Sequence, residues 1–256
     1  MVAIPSLWWM VQELWPPAFA AFILAVIGIG AAEYGWMAFP QHARLRLFTV
    51  VASLAVALGM MLGGPWAGVA GAATFLVVLL GPLTAPDDLG AGVARAALCW
   101  VGVTYVGFLT PHVVLLRESS PDGWRWVLFT IFVVMGSDTG GYFGGRWAGR
   151  RKLLPAVSPS KTVEGALGSI VGAAVLAVLC RAVFFDRRTT ATAIGIAVVV
   201  SVLGQAGDLA ESALKRAFGA KDSGWIVPGH GGILDRLDSL LLPVVFVHHW
   251  VAVTGG

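Results

Sequence analysis

The feature that most constrains this chain is a series of long apolar stretches, each close to the length that crosses a lipid bilayer. A transmembrane helix needs about 20 consecutive apolar residues. By that length, the predicted spans are roughly 17–39, 47–64, 67–85, 91–113, 124–145, 162–184, 190–207 and 239–254. Only 12% of the residues are charged, against about 25% in soluble domains, so no core in water could absorb this apolar surface.

These stretches predict helices rather than the strands of a barrel. A helix pairs its own backbone polar groups, as lipid requires, whereas barrel strands alternate polar and apolar residues, and these runs do not. We therefore predict an all-α, polytopic integral membrane protein with about eight or nine transmembrane helices, the ninth depending on residues 1–14. The prediction is one membrane domain, 1–256, with N-terminal helices in 1–130 and most polar motifs in 131–256.

Basic residues predict the orientation in the membrane, because loops on the cytoplasmic side carry an excess of Lys and Arg. When the loops are assigned alternately to the two sides of the membrane, their basic residues fall into two unequal sets. The larger set holds Arg44, Arg46, Arg95, Arg146, Arg150, Arg151, Lys152, Lys161, Lys215, Arg216, Lys221 and Arg236. The smaller set holds Arg117, Arg125, Arg181, Arg187 and Arg188. We expect the larger set on the cytoplasmic side, although the pair Arg187–Arg188 counts against this orientation.

Charge is concentrated between residues 208 and 238, which hold nine of the 31 charged residues, 17 basic and 14 acidic, in the chain. In "GDLAESALKR", Asp208, Glu211, Ser212 and Lys215 are spaced to form one polar stripe on a helix. A solvated helix end would give the same stripe. A connector between two membrane helices needs no such set of charges, which favours a functional role.

The stretch "GHGGILDRLD", residues 229–238, places Asp235 and Asp238 on one face of the first turns of the last helix. Interaction with the helix dipole alone would explain acids there. The glycines before them permit close backbone approach to a ligand, and a helix N-terminus favours anions. Carboxylates beside phosphate are how proteins hold Mg²⁺, and the nearby lysines and arginines would neutralise more phosphate charge.

These residues carry a family resemblance. The segment "SALKRAFGAKDSGWIVPGHGGILDRLD", 212–238, resembles the signature of phosphatidate cytidylyltransferases, also called CDP-diacylglycerol synthases. The matching positions are Ser212, Lys215, Arg216, Lys221, Asp222, Pro228, Gly229, His230, Gly231, Gly232, Asp235, Arg236 and Asp238. Upstream, "GDLAES", "SPSKTVEG" and "SDTGGYFGGRWAGR" are similar to further motifs of that family, so the resemblance covers about 130–240.

The resemblance implies an activity and its cofactors. Such enzymes condense CTP with phosphatidic acid, giving CDP-diacylglycerol and pyrophosphate, and they need Mg²⁺, with K⁺ as a candidate second cation. Asp208 and Asp235 match the metal ligands, and Lys215, Arg236 and Asp238 the catalytic residues. Residues expected to bind substrate are Asp138, Ser158, Ser160, Lys161, Thr162, Ser212, Arg216, Lys221, Asp222, His230, Gly231 and Gly232.

The same resemblance places the protein in a bacterial inner membrane, with the active site facing the cytoplasm. The expected partners are CTP, phosphatidic acid and membrane lipids. A homodimer is possible for this family, and the sequence does not decide it. We attribute the net charge of +3 to cytoplasmic loops and therefore expect no nucleic-acid partner. Alternative functions are cytidylyl transfer to another lipid phosphate, an ion or phosphate transporter, and a structural scaffold. The scaffold hypothesis leaves the charge cluster unexplained.

Four further features give more local predictions. Ser158 and Pro159 predict the N-cap and first residue of the sixth span, where a phosphate could bind. Asp138 is predicted to end the fifth span. Glu33, inside the first span, is predicted to have either a catalytic role or a paired structural one. The glycines of "TGGYFGG" and "GALGSIVG" predict close helix packing.

Overall fold

The computed structural model describes residues 3–84, 88–185, 188–224 and 231–255, and most of these residues are helical. The α-helices are α1 Ala3–Gln12, α2 Pro16–Ala38, α3 Ala43–Leu62, α4 Trp66–Leu80, α5 Leu89–Gly102, α6 His112–Glu118, α7 Gly123–Ala148, α8 Val163–Val183, α9 Thr190–Ala217 and α10 Leu234–Thr254. A short antiparallel hairpin pairs strand β1, Lys152–Leu154, with strand β2, Ser158–Thr162.

Eight helical segments in the described part of the chain are long and apolar enough to cross a membrane, which confirms the predicted membrane protein. The fourth is composite, because α5 continues through a π-helical turn, Val103–Phe108, and α6, so that the segment runs Leu89–Glu118. Helix α1 has only 10 residues and is about 15 Å long, too short to span. Of the predicted eight or nine spans, the structure therefore supports eight.

Local sequence explains where several of these helices begin. Two prolines open α2, where a missing N–H costs nothing and the fixed φ suits a helix. The side chains of Asp88 and Thr189 accept backbone N–H groups at the starts of α5 and α9. Each such cap satisfies a donor that has no partner within the helix.

The predicted cap of the sixth span is wrong, although the predicted bounds, 162–184, agree with α8. Ser158 and Pro159 lie in β2 rather than at a helix N-terminus, and α8 begins at Val163. Thr162 is the cap instead, since its hydroxyl accepts the N–H of Gly165 at 3.1 Å. The segment before it is extended and pairs with β1. Ser158, Ser160 and Lys161 therefore lie on a strand.

Two other predicted boundaries are also too short. Asp138 was predicted to end the fifth span, whose apolar stretch was predicted to reach 145, but α7 continues to Ala148, so Asp138 lies within the helix. The seventh was predicted to end at 207, but α9 continues to Ala217 and includes Asp208. In both cases polar residues that were read as the end of a span extend the same helix.

The chain divides into two compact units, of which the first comprises Met1–Leu14, Leu115–Lys221 and Asp235–Gly256. Its closest helix pair is α7 with α8, where glycines face glycines. A Cβ added to Gly172 would lie 3.0 Å from the Cα of Gly140, and one added to Gly144 would lie 3.1 Å from the Cα of Gly168. The predicted close packing at these glycines is confirmed.

The second unit comprises Trp15–Val114 and Asp222–Leu234. Helices α2 and α3 pack together in it, and the hydroxyl of the buried Tyr34 donates to the carbonyl of Leu98 at 2.8 Å. The segment Asp222–Leu234 belongs to this unit although α10, which follows it, belongs to the first. The predicted halves 1–130 and 131–256 stay a prediction.

Candidate active site

A cavity of about 470 Å³ opens in the first unit, between α7, β2, α8 and α9. Five of the predicted site residues line it, namely Asp138, Ser160, Lys161, Thr162 and Asp208. Its glycines, Gly141, Gly145 and Gly165, leave room beside the helices. The structure thus brings together two motifs that lie about 45 residues apart in sequence, the serine-lysine-threonine strand and the acidic stretch of α9.

Lys161 and Asp208 form an ion pair inside this cavity. The Nζ of Lys161 lies 2.5 Å from Oδ2 of Asp208, and each side chain is partly shielded from solvent. The hairpin explains the position of the lysine, because the cap at Thr162 fixes the end of β2 against the start of α8. The hydroxyl of Ser212, one turn along α9, lies 3.4 Å from the other oxygen of Asp208.

A second lysine neutralises two acids one turn further along α9. The Nζ of Lys215 lies 2.6 Å from Oε2 of Glu211 and 2.5 Å from Oδ1 of Asp235, on α10. Glu211 is buried, with 1% of its surface exposed. Its Oε1 has no hydrogen-bond partner among the described residues. Such an atom is costly unless a ligand or ion completes its coordination.

Close packing of α9 on α10 brings further carboxylates together. A Cβ on Gly207 would collide with the carbonyl oxygen of Asp238, so only a glycine permits this approach. Asp238 is nearly buried, and both it and Asp138 lie within electrostatic range of Asp208. The hydroxyl of Ser239 lies 3.5 Å from Oδ2 of Asp138, which links α10 to α7.

Asp208 and Asp235 are connected through this cluster of acidic side chains. Asp238 lies within electrostatic range of Asp208, and Glu211 lies within range of both Asp235 and Asp238. Five carboxyl groups therefore share one region, and in the part of the chain that the structure describes the ammonium groups of Lys161 and Lys215 pair with three of them. Clustered carboxylates in a half-buried site favour the binding of cations.

The donor set suits a hard cation held jointly with a substrate. No group of three or more His, Cys, Asp and Glu side chains in the described ranges is arranged to hold a metal alone. Mg²⁺ does not require one, since proteins usually supply one or two carboxylates and substrate phosphates supply the rest. Asp208 in the cavity wall and the buried Asp238 are oxygen donors of that kind.

Other predicted site residues lie outside the cavity lining. In the first unit these are Ser158 on β2, Arg216 in the last turn of α9, Lys221 after it, and the exposed Arg236 on α10. Asp222, Gly231 and Gly232 belong to the second unit. His230 lies outside the described residues.

Sequence reasoning gave no binding role to several polar residues of the cavity. Gln205 and Ser169 line it, as do Tyr142 and Arg146, whose side chains are hydrogen-bonded at 3.1 Å. Gln205 precedes Asp208 by three positions and so shares its helix face. That spacing could have identified Gln205, whereas Ser169 stands alone in an apolar run.

The glycines of "GHGG" were predicted to let a ligand approach the backbone. The structure explains Gly231 and Gly232 without a ligand. Gly231 has a φ of 82°, a conformation that L-residues with a side chain rarely adopt. The space beside Gly232 is filled by the chain itself, since an added Cβ would lie 2.6 Å from Oε2 of Glu33. A ligand is therefore not needed to explain either glycine.

Comparison with known proteins shows the family to which the chain belongs. A model of the cytidylyltransferase family matches residues 1–254. Proteins named phosphatidate cytidylyltransferase are similar over part of the chain. That of Staphylococcus epidermidis (strain ATCC 35984) is 44% identical over 147 residues, 57% of this chain. That of Bacillus subtilis (strain 168) is 43% identical over 148 residues, 58% of this chain. The matched segments span 55% of the length of these relatives. Since the family model covers nearly the whole sequence, the chain belongs to the cytidylyltransferase family.

Proposed function

We propose that this protein transfers a cytidylyl group from CTP to phosphatidic acid, giving CDP-diacylglycerol and pyrophosphate. The observation that carries the proposal is the cavity in which Lys161 and Asp208 are paired beside Asp138. One wall of this cavity holds both an ammonium group, which can bind phosphate, and carboxylates, which can bind a metal ion. The family match and the names of the relatives support the same chemistry.

In the proposed reaction, an oxygen of the lipid phosphate attacks the α-phosphorus of CTP, and the bond to the β-phosphate oxygen breaks. Pyrophosphate leaves with that electron pair. Little covalent chemistry falls to the protein in phosphoryl transfer, so positioning and charge stabilisation carry the rate. Bound Mg²⁺ would supply charge stabilisation on the triphosphate, held by Asp208 and Asp235, with Asp238 nearby. K⁺ stays a candidate second cation.

The ion pairs indicate how the chain prepares for substrate. Without phosphate, Lys161 and Lys215 neutralise the acids. If Asp208 held a metal ion, the ammonium of Lys161 would be available to a phosphate oxygen, which prefers such charge-assisted bonds. Lys161 on the cavity wall is the better placed for the nucleotide. We assign Arg216 and Lys221 to further phosphate charge, and Lys215, Arg236 and Asp238 to the catalytic group.

A membrane location suits these substrates, because one is a lipid and the other is soluble. We propose that the site faces the cytoplasm of a bacterial cell, since the larger set of basic residues includes those of the β-hairpin and of the end of α9. A homodimer stays a prediction. The family match gives no support to a transporter.

The test is product formation by the purified chain. In detergent with Mg²⁺ and labelled CTP, we expect CDP-diacylglycerol from phosphatidic acid and release of pyrophosphate, with none in excess chelator. A polyprenyl phosphate offered in parallel tests the alternative acceptor. Failure to form any CDP-lipid from either acceptor would contradict the proposed function, and a product from the polyprenyl phosphate alone would replace the acceptor.

A pair of variants tests the assigned carboxylate. Asp208→Asn removes the charge that faces Lys161 in the cavity and should lower turnover by about a hundredfold or more, as removal of a key electrostatic group does. The matched control is Asp88→Asn, which makes the same chemical change at the N-cap of α5. Asn caps helices as well as Asp does, so its turnover should equal that of the unsubstituted protein.

A further inference from the structure

A buried glutamate far upstream in the sequence holds the signature segment of the second unit. Glu33 lies in α2, with 4% of its surface exposed. Its Oε1 accepts the backbone N–H of Ile233 at 3.0 Å, and its Oε2 accepts that of Leu234 at 3.0 Å. The hydroxyl of Ser223 lies 3.4 Å from Oε2. This carboxylate thus contacts residues about 200 positions away.

These bonds satisfy donors that the helix cannot satisfy. Leu234 is the first residue of α10, and the N–H groups at a helix start have no partner within the helix. A carboxylate there also interacts favourably with the helix dipole. Glu33 therefore acts as a cap supplied from another helix, and it sets where α10 begins.

The glycines of the segment are fitted to this carboxylate. A Cβ on Gly232 would lie 2.6 Å from Oε2 of Glu33, and one on Gly224 would lie 2.7 Å from its Cδ. Glycine is thus required on both sides of residues 225–230 for Glu33 to reach the backbone. Three separate positions, Ser223, Gly224 and Gly232, converge on one side chain.

Asp235 follows Leu234 directly, and it is the partner of Lys215. A displacement of the helix start by a fraction of an ångström would change the direction of Asp235 and, one turn later, of Asp238. We propose that Glu33 is a positioning residue, which fixes the start of α10 and thereby orients the carboxylates of its first two turns. The inference rests on the proposed function for its effect on rate, but not for its effect on the backbone.

The first experiment measures rate and Mg²⁺ dependence in the full chain. Glu33→Gln keeps the shape but replaces one acceptor oxygen with a donor, and Glu33→Asp is shorter by one methylene. Turnover per folded protein should fall about tenfold or more, the range for groups that orient metal ligands, and half-maximal rate should need several-fold more Mg²⁺. Glu118→Gln, the same change at an exposed residue of α6, should match the unsubstituted protein in both.

The second experiment needs no activity. Hydrogen exchange in Glu33→Gln should accelerate at the amides of Ile233 and Leu234, while the later turns of α10 keep their protection. If the amides exchange as in the unsubstituted protein, or if the whole chain exchanges faster, the positioning role is wrong. An inactive unsubstituted protein would contradict the proposed function alone, since the exchange result would still decide this inference.

A third comparison uses the close contact at Gly232. Gly232→Ala should lower turnover in the unsubstituted protein by displacing Glu33 and the Oγ of Ser223, which lies even closer to the added methyl. It should add little in the double variant Glu33→Ala with Ser223→Ala, where both obstacles are gone. Such non-additivity is what contacting residues show. Equal losses in both backgrounds would mean that Gly232 acts independently of Glu33, against the proposal.

Discussion

At the scale of single residues, the site depends on lysines that form ion pairs with carboxylates. Lys215 is the clearest case, because its ammonium lies between Glu211 and Asp235 and only 14% of its side chain is exposed. Breaking a buried ion pair by removing one partner costs about 3–5 kcal/mol. We therefore predict that Lys215→Met lowers both turnover and the thermal unfolding midpoint in detergent.

This prediction differs from what the sequence suggests, which is a lysine that binds phosphate and contributes little to folding. The double variant Lys215→Met with Glu211→Gln separates the two roles. It removes one of the two uncompensated charges, that of Glu211, and should recover part of the lost midpoint, but turnover should stay low. An unfolding midpoint for Lys215→Met equal to that of the unsubstituted protein would show that the ion pairs contribute no stability.

The sequence predicts the contacts of a residue well only when the contacting residue is near it in the chain. Glu211 and Lys215 are four positions apart on one helix, and that spacing alone predicts their pairing. The contact of Lys161 with Asp208 joins a strand to a helix, and no spacing in the sequence predicts it. Glu33 and Leu234 are joined by tertiary packing, which no local pattern encodes.

At the scale of secondary structure elements, the start of α8 can be tested against the start that the sequence suggests. Thr162 caps the helix through the N–H of Gly165, whereas Ser158 lies on β2. Loss of a cap costs about 1 kcal/mol. Thr162→Ala should therefore lower the unfolding midpoint, and Ser158→Ala should not. The opposite ranking would place the helix start four residues earlier, as the Ser-Pro pair predicts.

The glycine contact between α7 and α8 makes a second prediction at this scale. An added methyl at Gly172 would overlap the carbonyl of Gly136, and overpacking of this kind costs about 1–3 kcal/mol. Gly172→Ala should thus lower the unfolding midpoint in detergent. Gly195→Ala is the control, because nothing lies within 4 Å of the added methyl. Equal midpoints for the two variants would contradict close packing at the contact.

The sequence predicts the existence of these elements better than their ends. Apolar length identifies the spans, because a bilayer requires that length. The end of α9, however, extends past the predicted 207 to Ala217, into polar residues that a hydropathy criterion excludes, and this extension carries Asp208. The hairpin between α7 and α8 is missed for another reason, because Ser-Pro also fits the first positions of a helix and only pairing with β1 decides for a strand.

At the scale of the whole molecule, composition alone predicts the class of protein, and the eight spans agree with it. What composition cannot predict is which helices are neighbours. In lipid the helices are not selected by burial of apolar surface, and small residues and interhelical hydrogen bonds decide the contacts. Ser137 and Ser201, 2.8 Å apart between α7 and α9, are such a contact, and nothing in their local sequence pairs them.

The topology gives the last prediction. Lys152 on β1 precedes α8, and Thr190 follows it, so a single membrane crossing separates them. Both are exposed, whereas the native cysteines, Cys99 and Cys180, are buried. Thr190→Cys should react with a membrane-impermeant maleimide in intact bacterial cells, and Lys152→Cys should react only after lysis, since basic hairpin residues favour the cytoplasmic side. Reaction of both in intact cells would mean that α8 does not span, and the reversed order would place the cavity on the outer face, away from the cellular supply of CTP.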